Sequence, residues 1–378
     1  MPVMKLLAGV GVAFIIACSP GQATAGARAS RTPRPTSAAQ PRIAILTGQY
    51  APSETLIIAD LGGRALARAT FASMPRPLII NAGDVLPAPV RLAAGAAYYA
   101  EPTGRIHRLD PSAGDTVVAT FPLTTAQQEL SFAVSPDGKQ LIAMVLTAPP
   151  VHDPPPQNIE QPFFQPGTRW TAELDLATVS GATRTLARTD LGPAVGRLQV
   201  PMMIAGWDDQ GPLALLDAQI ATQQPLASRH LPGSALVHLG LEGTRRDQVG
   251  GPACRPLDEL HDGTVLCYSG SYPTAYDVRS AAGQLLWRQD LGGAFYFDPA
   301  LSPDGRRIAV ENALFAQDTR PASIARQSIP RLQVGAEGWV TATTLAVSGP
   351  SGGVQVVDLS DLDHPRDLGL TGTFIGTL

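Results

Sequence analysis

The chain is predicted to be all-β, folded as a seven-bladed β-propeller, and three observations carry that expectation. First, a short hydrophobic segment twice runs into Ser-Pro-Asp-Gly and straight into a second one. The first copy is Phe132-Ala133-Val134-Ser135-Pro136-Asp137-Gly138 followed by Gln140 to Val145; the second is Ala300-Leu301-Ser302-Pro303-Asp304-Gly305 followed by Arg307 to Val310. Second, no long stretch after Pro41 spaces its apolar residues at helical intervals. Short alternating runs end about every eight to twelve residues in Gly, Pro, Asp or Ser instead. Third, 44% of the residues are hydrophobic and only 16% charged, which suits many half-buried strands better than charged amphipathic helices.

The N-terminus comes before any strand. Lys5 precedes an apolar run from Leu6 to Ala17, about twelve residues, which fits a signal-peptide core and is too short to span a bilayer. The run ends in Ile15-Ile16-Ala17-Cys18, which resembles the lipobox of bacterial lipoproteins. The resemblance implies that residues 1–17 are removed and that Cys18 is lipidated as the first mature residue. The alternative is a plain secretory signal cut after Ala23 or Ala25. Residues 18–41 are rich in Ala, Pro, Ser, Thr and Gly with almost no large apolar side chain, and read as a flexible tether. As a random coil it would span about 25–30 Å. A lipid anchor on such a tether would hold the domain at residues 42–378 just outside a membrane, facing the periplasm or cell surface.

Grouping the strands by fours gives a repeat of roughly forty to sixty residues, near the length of one blade. Units fall at about 42–80, 81–125, 126–192, 196–250, 251–293, 294–333 and 334–378. Six or eight blades stay open, because the first and sixth units are weakly marked. Within the repeated turn, Pro sets φ at the first corner, Asp caps through its side chain, and Gly takes the φ > 0 position. Ser-Pro-Asp-Gly between the first two strands of a unit resembles the turn of WD-repeat-like bacterial propellers, including the exported TolB-type family. Val354 to Pro365 resembles the third strand and turn of LVIVD or WD-type blades. The chain departs from true WD repeats, since Trp207-Asp208 sits at the first turn of a blade and not at a strand end. The resemblance implies a propeller and carries no ligand across.

Cys254 and Cys267 flank a strand, a turn at His261-Asp262-Gly263 and a second strand. In an oxidising location a disulfide is expected between them, with two buried free thiols as the alternative. A metal site is not expected there, because only His261 lies nearby. Asp358, Asp361, Asp363 and Asp367 offer carboxylates, but their spacing does not match a calcium loop. Gly349-Pro350-Ser351-Gly352-Gly353 matches a nucleophile elbow, yet a strand follows where a helix is required, so it reads as a hairpin turn. The net charge of −4 gives no nucleic-acid footprint. No cofactor, metal or catalytic set is expected.

Two insertions break the rhythm: 149–167, with His152, Phe163 and Phe164, and 217–232, with Arg229 and His230. Long loops in compact domains tend to be functional or disordered, and these five residues are the candidate contacts for a ligand or partner; Phe163 and Phe164 could equally fold back over a blade edge. Trp170, just beyond, reads as packing. The function expected is a monomeric, membrane-anchored binding module for a protein, peptide or envelope ligand. The rival is an exported propeller lyase or hydrolase with its site at the channel mouth, where single His, Asp and Glu residues from several blades converge.

Overall fold

The computed structural model describes residues 40–48, 51–74, 90–150, 165, 167–179, 183–193, 199–219, 235–269, 275–291, 299–310, 313–317, 327–328, 336–349 and 352–378. All lie in the unit Gln40–Leu378. Their strands form seven separate four-stranded antiparallel sheets, the seven blades.

The first blade holds β1 (Arg42–Thr47), β2 (Ser53–Asp60) and β3 (Ala65–Ala72). The second runs β4 (Val90–Ala93), β5 (Ala96–Ala100), β6 (Arg105–Asp110) and β7 (Gly114–Thr120). The third holds β8 (Gln128–Val134), β9 (Gln140–Thr147), β10 (Arg169–Thr178) and β11 (Thr183–Pro193). The fourth holds β12 (Gln199–Asp208), β13 (Gly211–Gln219), β14 (Ala235–Leu239) and β15 (Arg245–Gln248). The fifth holds β16 (Arg255–Glu259), β17 (Val265–Ser269), β18 (Ala275–Arg279) and β19 (Leu285–Asp290). The sixth holds β20 (Ala300–Leu301), β21 (Arg307–Val310), β22 (Ala313–Ala316) and β23 (Gln327–Ser328). The seventh holds β24 (Ala336–Thr341), β25 (Thr344–Ser348), β26 (Gly353–Asp358) and β27 (Arg366–Thr371).

One strand remains. β28 (Thr373–Thr377) leaves the seventh blade and pairs antiparallel with β1, through Ile43↔Thr377 and Leu46↔Thr373. It is the innermost strand of the first blade, in the order β28-β1-β2-β3. The first unit reads weakly in sequence because it contains only three of its four strands.

Apolar packing follows the ring. One buried cluster joins the first and second blades through Leu56, Tyr99 and Ile375, and another joins the second and third through Tyr98, Phe121 and Phe132. The largest spans the third, fourth and fifth through Trp170, Ile204 and Leu236. Leu266, Tyr276 and Ile308 join the fifth and sixth, and Leu314 and Trp339 the sixth and seventh. Ile45, Val354 and Phe374 join the seventh back to the first. A sheet packed on both faces buries every position, so Ala96–Ala100 and Leu141–Leu146 are continuously buried where alternation was expected. Outer strands such as β7 and β27 are mostly exposed.

The repeated turn is built the same way twice. Ser135 N donates to Gln140 O and Gly138 N to Ser135 O, while Ser135 Oγ donates to Asp137 Oδ1 at 2.7 Å. Ser302 N donates to Arg307 O, Gly305 N to Ser302 O, and Ser302 Oγ to Asp304 Oδ1 at 2.6 Å. Gly138 and Gly305 sit at φ +70° and +67°, where a side chain would be strained. The sulfur atoms of Cys254 and Cys267 lie 1.99 Å apart, with a Cα–Cα distance of 5.1 Å.

Phe374 is fully buried between the first and seventh blades. Phe374→Ala should lower unfolding free energy by about 3–5 kcal/mol in a denaturant titration, because it opens a cavity at the ring closure. Truncating Leu285, exposed on β19, should change it by under about 0.5 kcal/mol.

Candidate functional site

The C-terminal ends of the seven innermost strands, with the turns that follow them, surround a cavity of about 640 Å³. Arg91, Val134, Trp207, Glu259, Pro303, Thr341 and Thr377 line it, one from each blade, with Thr377 representing the first. The two Ser-Pro-Asp-Gly turns reach it through Pro136 and Pro303. It is the mouth of the central channel on the face of the first-to-second strand turns.

Most polar groups around this hub tie one blade to the next. Arg91 Nε donates to Phe132 O at 2.9 Å and its Nη2 to Ile204 O at 3.2 Å, linking the second blade to the third and fourth. Burial brings the Arg91 guanidinium down to about 10, and no ion pair involves it among the described residues. Ser131 Oγ accepts from Ile204 N at 2.9 Å. The buried Asp258 accepts from Leu301 N at 2.7 Å, linking the fifth blade to the sixth. Trp339 Nε1 donates to Ala300 O at 2.9 Å, and Phe374 N to Glu337 Oε2 at 2.6 Å. Burial pushes the Glu337 carboxyl upward, against the lowering effect of bonds from Ser348 and Phe374.

The fourth and fifth blades meet differently. β12 ends in Trp207-Asp208-Asp209, and β16 runs into Asp258-Glu259-Leu260-His261-Asp262. Asp208 is buried; its Oδ1 accepts from Gln210 N and Gly211 N, and its Oδ2 lies 2.8 Å from Nε2 of the buried His238. Asp209 N donates to His261 O at 2.9 Å, so the two turns are stitched together. Asp262 Oδ1 caps its turn by accepting from Thr264 N. Glu259 is different. Its Oε1 is buried and has no hydrogen-bond partner among the described residues. Burial drives its carboxyl well above the usual carboxylate range, and the charges of Asp208, Asp258, Asp262 and Asp209 drive it further. An acid so placed holds its proton more tightly than a solvated carboxyl does, and a nearby cation would oppose that shift.

Several other acids serve their own blades, while Glu54 Oε2, on β2, is a second buried carboxyl oxygen with no hydrogen-bond partner among the described residues. Burial pulls Asp277 upward, but hydrogen bonds from Arg288 and Arg279 outweigh it and hold the carboxyl low. Asp358 and Asp367 accept from Ser360 N and Gly369 N in their own turns, and Asp361 pairs with His364.

Cys18, His152, Phe163, Phe164, Arg229 and His230 lie outside the described residues. β9 ends at Thr147, which pairs with Gln128, the first residue of β8, at the end of the sheet opposite the mouth. Trp170 is buried core. Sequence reasoning passed over Glu259, Arg91 and the His238–Asp208 pair. A signal existed: two successive units each end their first strand in adjacent acids, and a ring makes those ends neighbours.

No protein-family model and no curated protein matches the chain. Solved structures do resemble it. An oligogalacturonate lyase in complex with manganese is 10% identical over 83% of this chain and 81% of that one, with a TM-score of 0.45. The Dos1 propeller is 10% identical over 86% and 82%, with a TM-score of 0.42. A TolB-like protein from Agrobacterium tumefaciens is 13% identical over 82% and 86%, with a TM-score of 0.35. Likeness at this level carries nothing about ligand or activity.

A carboxyl whose native pKa is raised binds its proton more tightly folded than unfolded. Stability is therefore full below the unfolded value, near 4.3, and is lost as pH rises toward the native value. Glu259→Gln removes that loss. In thermal unfolding from pH 4 to pH 8 the variant should match wild type at the acid end and become progressively more stable than it. The gap should widen by about 1.4 kcal/mol for each pH step of one between the unfolded and native values. A gap that does not change with pH would mean that the carboxyl is not held neutral.

Proposed function

We propose that this chain is an exported, membrane-tethered propeller that binds a ligand at one mouth of its central channel. The carrying observation is Glu259, whose buried Oε1 has no hydrogen-bond partner among the described residues, in a cavity to which all seven blades contribute. Turn caps and inter-blade bonds employ the neighbouring hub acids Asp208, Asp258 and Asp262. The Ile15-Ile16-Ala17-Cys18 lipobox and the linker after it support the tether, and the Ser-Pro-Asp-Gly turns support kinship with exported WD-like bacterial propellers. The partner is a protein, peptide or envelope component met outside the cytoplasm. A carboxyl with raised proton affinity in the same cavity as His261 also suits a general acid, which favours the enzymatic reading second.

Cell fractionation with site-specific photo-crosslinking tests both halves. Wild type should sediment with membranes and Cys18→Ala should move to the soluble fraction; retention in the pellet would contradict the anchor. A crosslinker at Asp209, on the mouth, should capture a partner in intact cells where one at Leu285, on an outer strand, does not. Equal capture at the two positions would contradict the mouth as the site.

A further inference from the structure

Resting on the mouth as the ligand site, we propose that the group entering it is an organic N–H cation, an ammonium or guanidinium, which Glu259 receives as a buried carboxylate. Charge and geometry both favour this class. Among the described residues, Asp209, Asp258, Glu259 and Asp262 line the cavity, against one cation, Arg91. Arg91 spends two of its N–H groups on Phe132 O and Ile204 O and stands off the acids, since burial alone accounts for its lowered proton affinity. The groups facing Glu259 are thus Asp208 and Asp209 from the neighbouring turn, and Asp258 and Asp262 from its own blade. His261 and the partly buried Trp207 also line the cavity.

The kind of cation follows from the donor set. Among the described residues, no three His, Cys, Asp or Glu side chains converge closely enough to hold a metal ion. A hydrogen-bonding cation asks for less: one buried acceptor, Glu259 Oε1, with Asp209 and the second oxygen of Asp262 on the exposed rim. Arrival of the cation discharges the repulsion among the acids. The proton on the Glu259 carboxyl passes to solvent, and the carboxylate left behind pairs with the cation, so charge balances in the site. Binding should therefore release protons and tighten as pH rises.

Calorimetric titration of the full-length protein tests this with acetyl-Gly-Lys-Gly-amide, its norleucine and glutamate counterparts, and spermidine. The lysine peptide or spermidine should bind while the norleucine and glutamate peptides do not; which of the two binds tells a peptide source from a free polyamine. Affinity should rise up to tenfold per pH unit between pH 5 and 8, with proton release detected by comparing buffers of different ionisation enthalpy. Glu259→Gln should weaken binding at least tenfold and abolish the pH slope. Asp209→Asn, exposed and independent of core packing, should weaken it a few-fold and keep the slope. Wild-type affinity in Glu259→Gln would overturn the inference. Binding of the glutamate peptide alone, at a site still sensitive to Asp209→Asn, would overturn the cation and spare the mouth. No binding by any probe, together with no crosslink at Asp209, would remove both.

Discussion

Each sheet in this ring needs a neighbour on both faces, so the fold depends on the pairing of β28 with β1. Without that strand the first blade lacks its inner edge. The apolar faces of Ile43 and Ile45 on one side and Leu56 on the other would then lose part of their cover. Closing so long a loop costs chain entropy, but the cost grows only as the logarithm of length. Phe374 and Ile375, adjacent on one short strand and pointing to opposite faces, enter two different inter-blade cores and offset it. Closure also creates the site, because strand ends remote in sequence become neighbours only when the ring is shut.

The hub poses a second problem. Seven inner strands stand side by side without forming a common ladder, and their backbone groups still require partners. Side chains answer for several of them: Arg91 serves two carbonyls, Ser131 and Asp258 each accept from an N–H of the next blade, and Glu337 receives Phe374 N. A desolvated acid or guanidinium is thus ordinary here. What sets Glu259 apart is that its buried oxygen has been given no such duty among the described residues. Keeping that oxygen unpaired beside neighbouring acids costs stability that no hydrogen bond among the described residues offsets.

The architecture was legible because turns are local. Ser-Pro-Asp-Gly encodes its own geometry within a few residues, and the same hydrogen bonds recur at Ser135 and Ser302. Spacing of turns then yields blade number. Two things were not local. The partner of β28 depends on where the chain started, which no pattern near Thr373 records. The acidic mouth depends on two blades lying side by side, so Asp208-Asp209 and Asp258-Glu259 each look like ordinary turn residues until the ring juxtaposes them. The candidate contacts His152, Phe163, Phe164, Arg229 and His230 lie outside the described residues. The continuous burial of Leu141–Leu146 also departs from simple alternation, since interior sheets have no solvent face.

Hydrogen exchange resolved by residue examines the closure most directly. If the C-terminal strand completes the first blade, amides of Gly376 and of Leu378, which donates to Arg42 O, should exchange at the same slow, globally limited rate as those of Ile43 and Ile45, and all four should collapse together in denaturant. Rapid exchange in 373–377 while β1 to β3 stay protected would show that the ring is shut some other way, and the shared mouth would lose its basis.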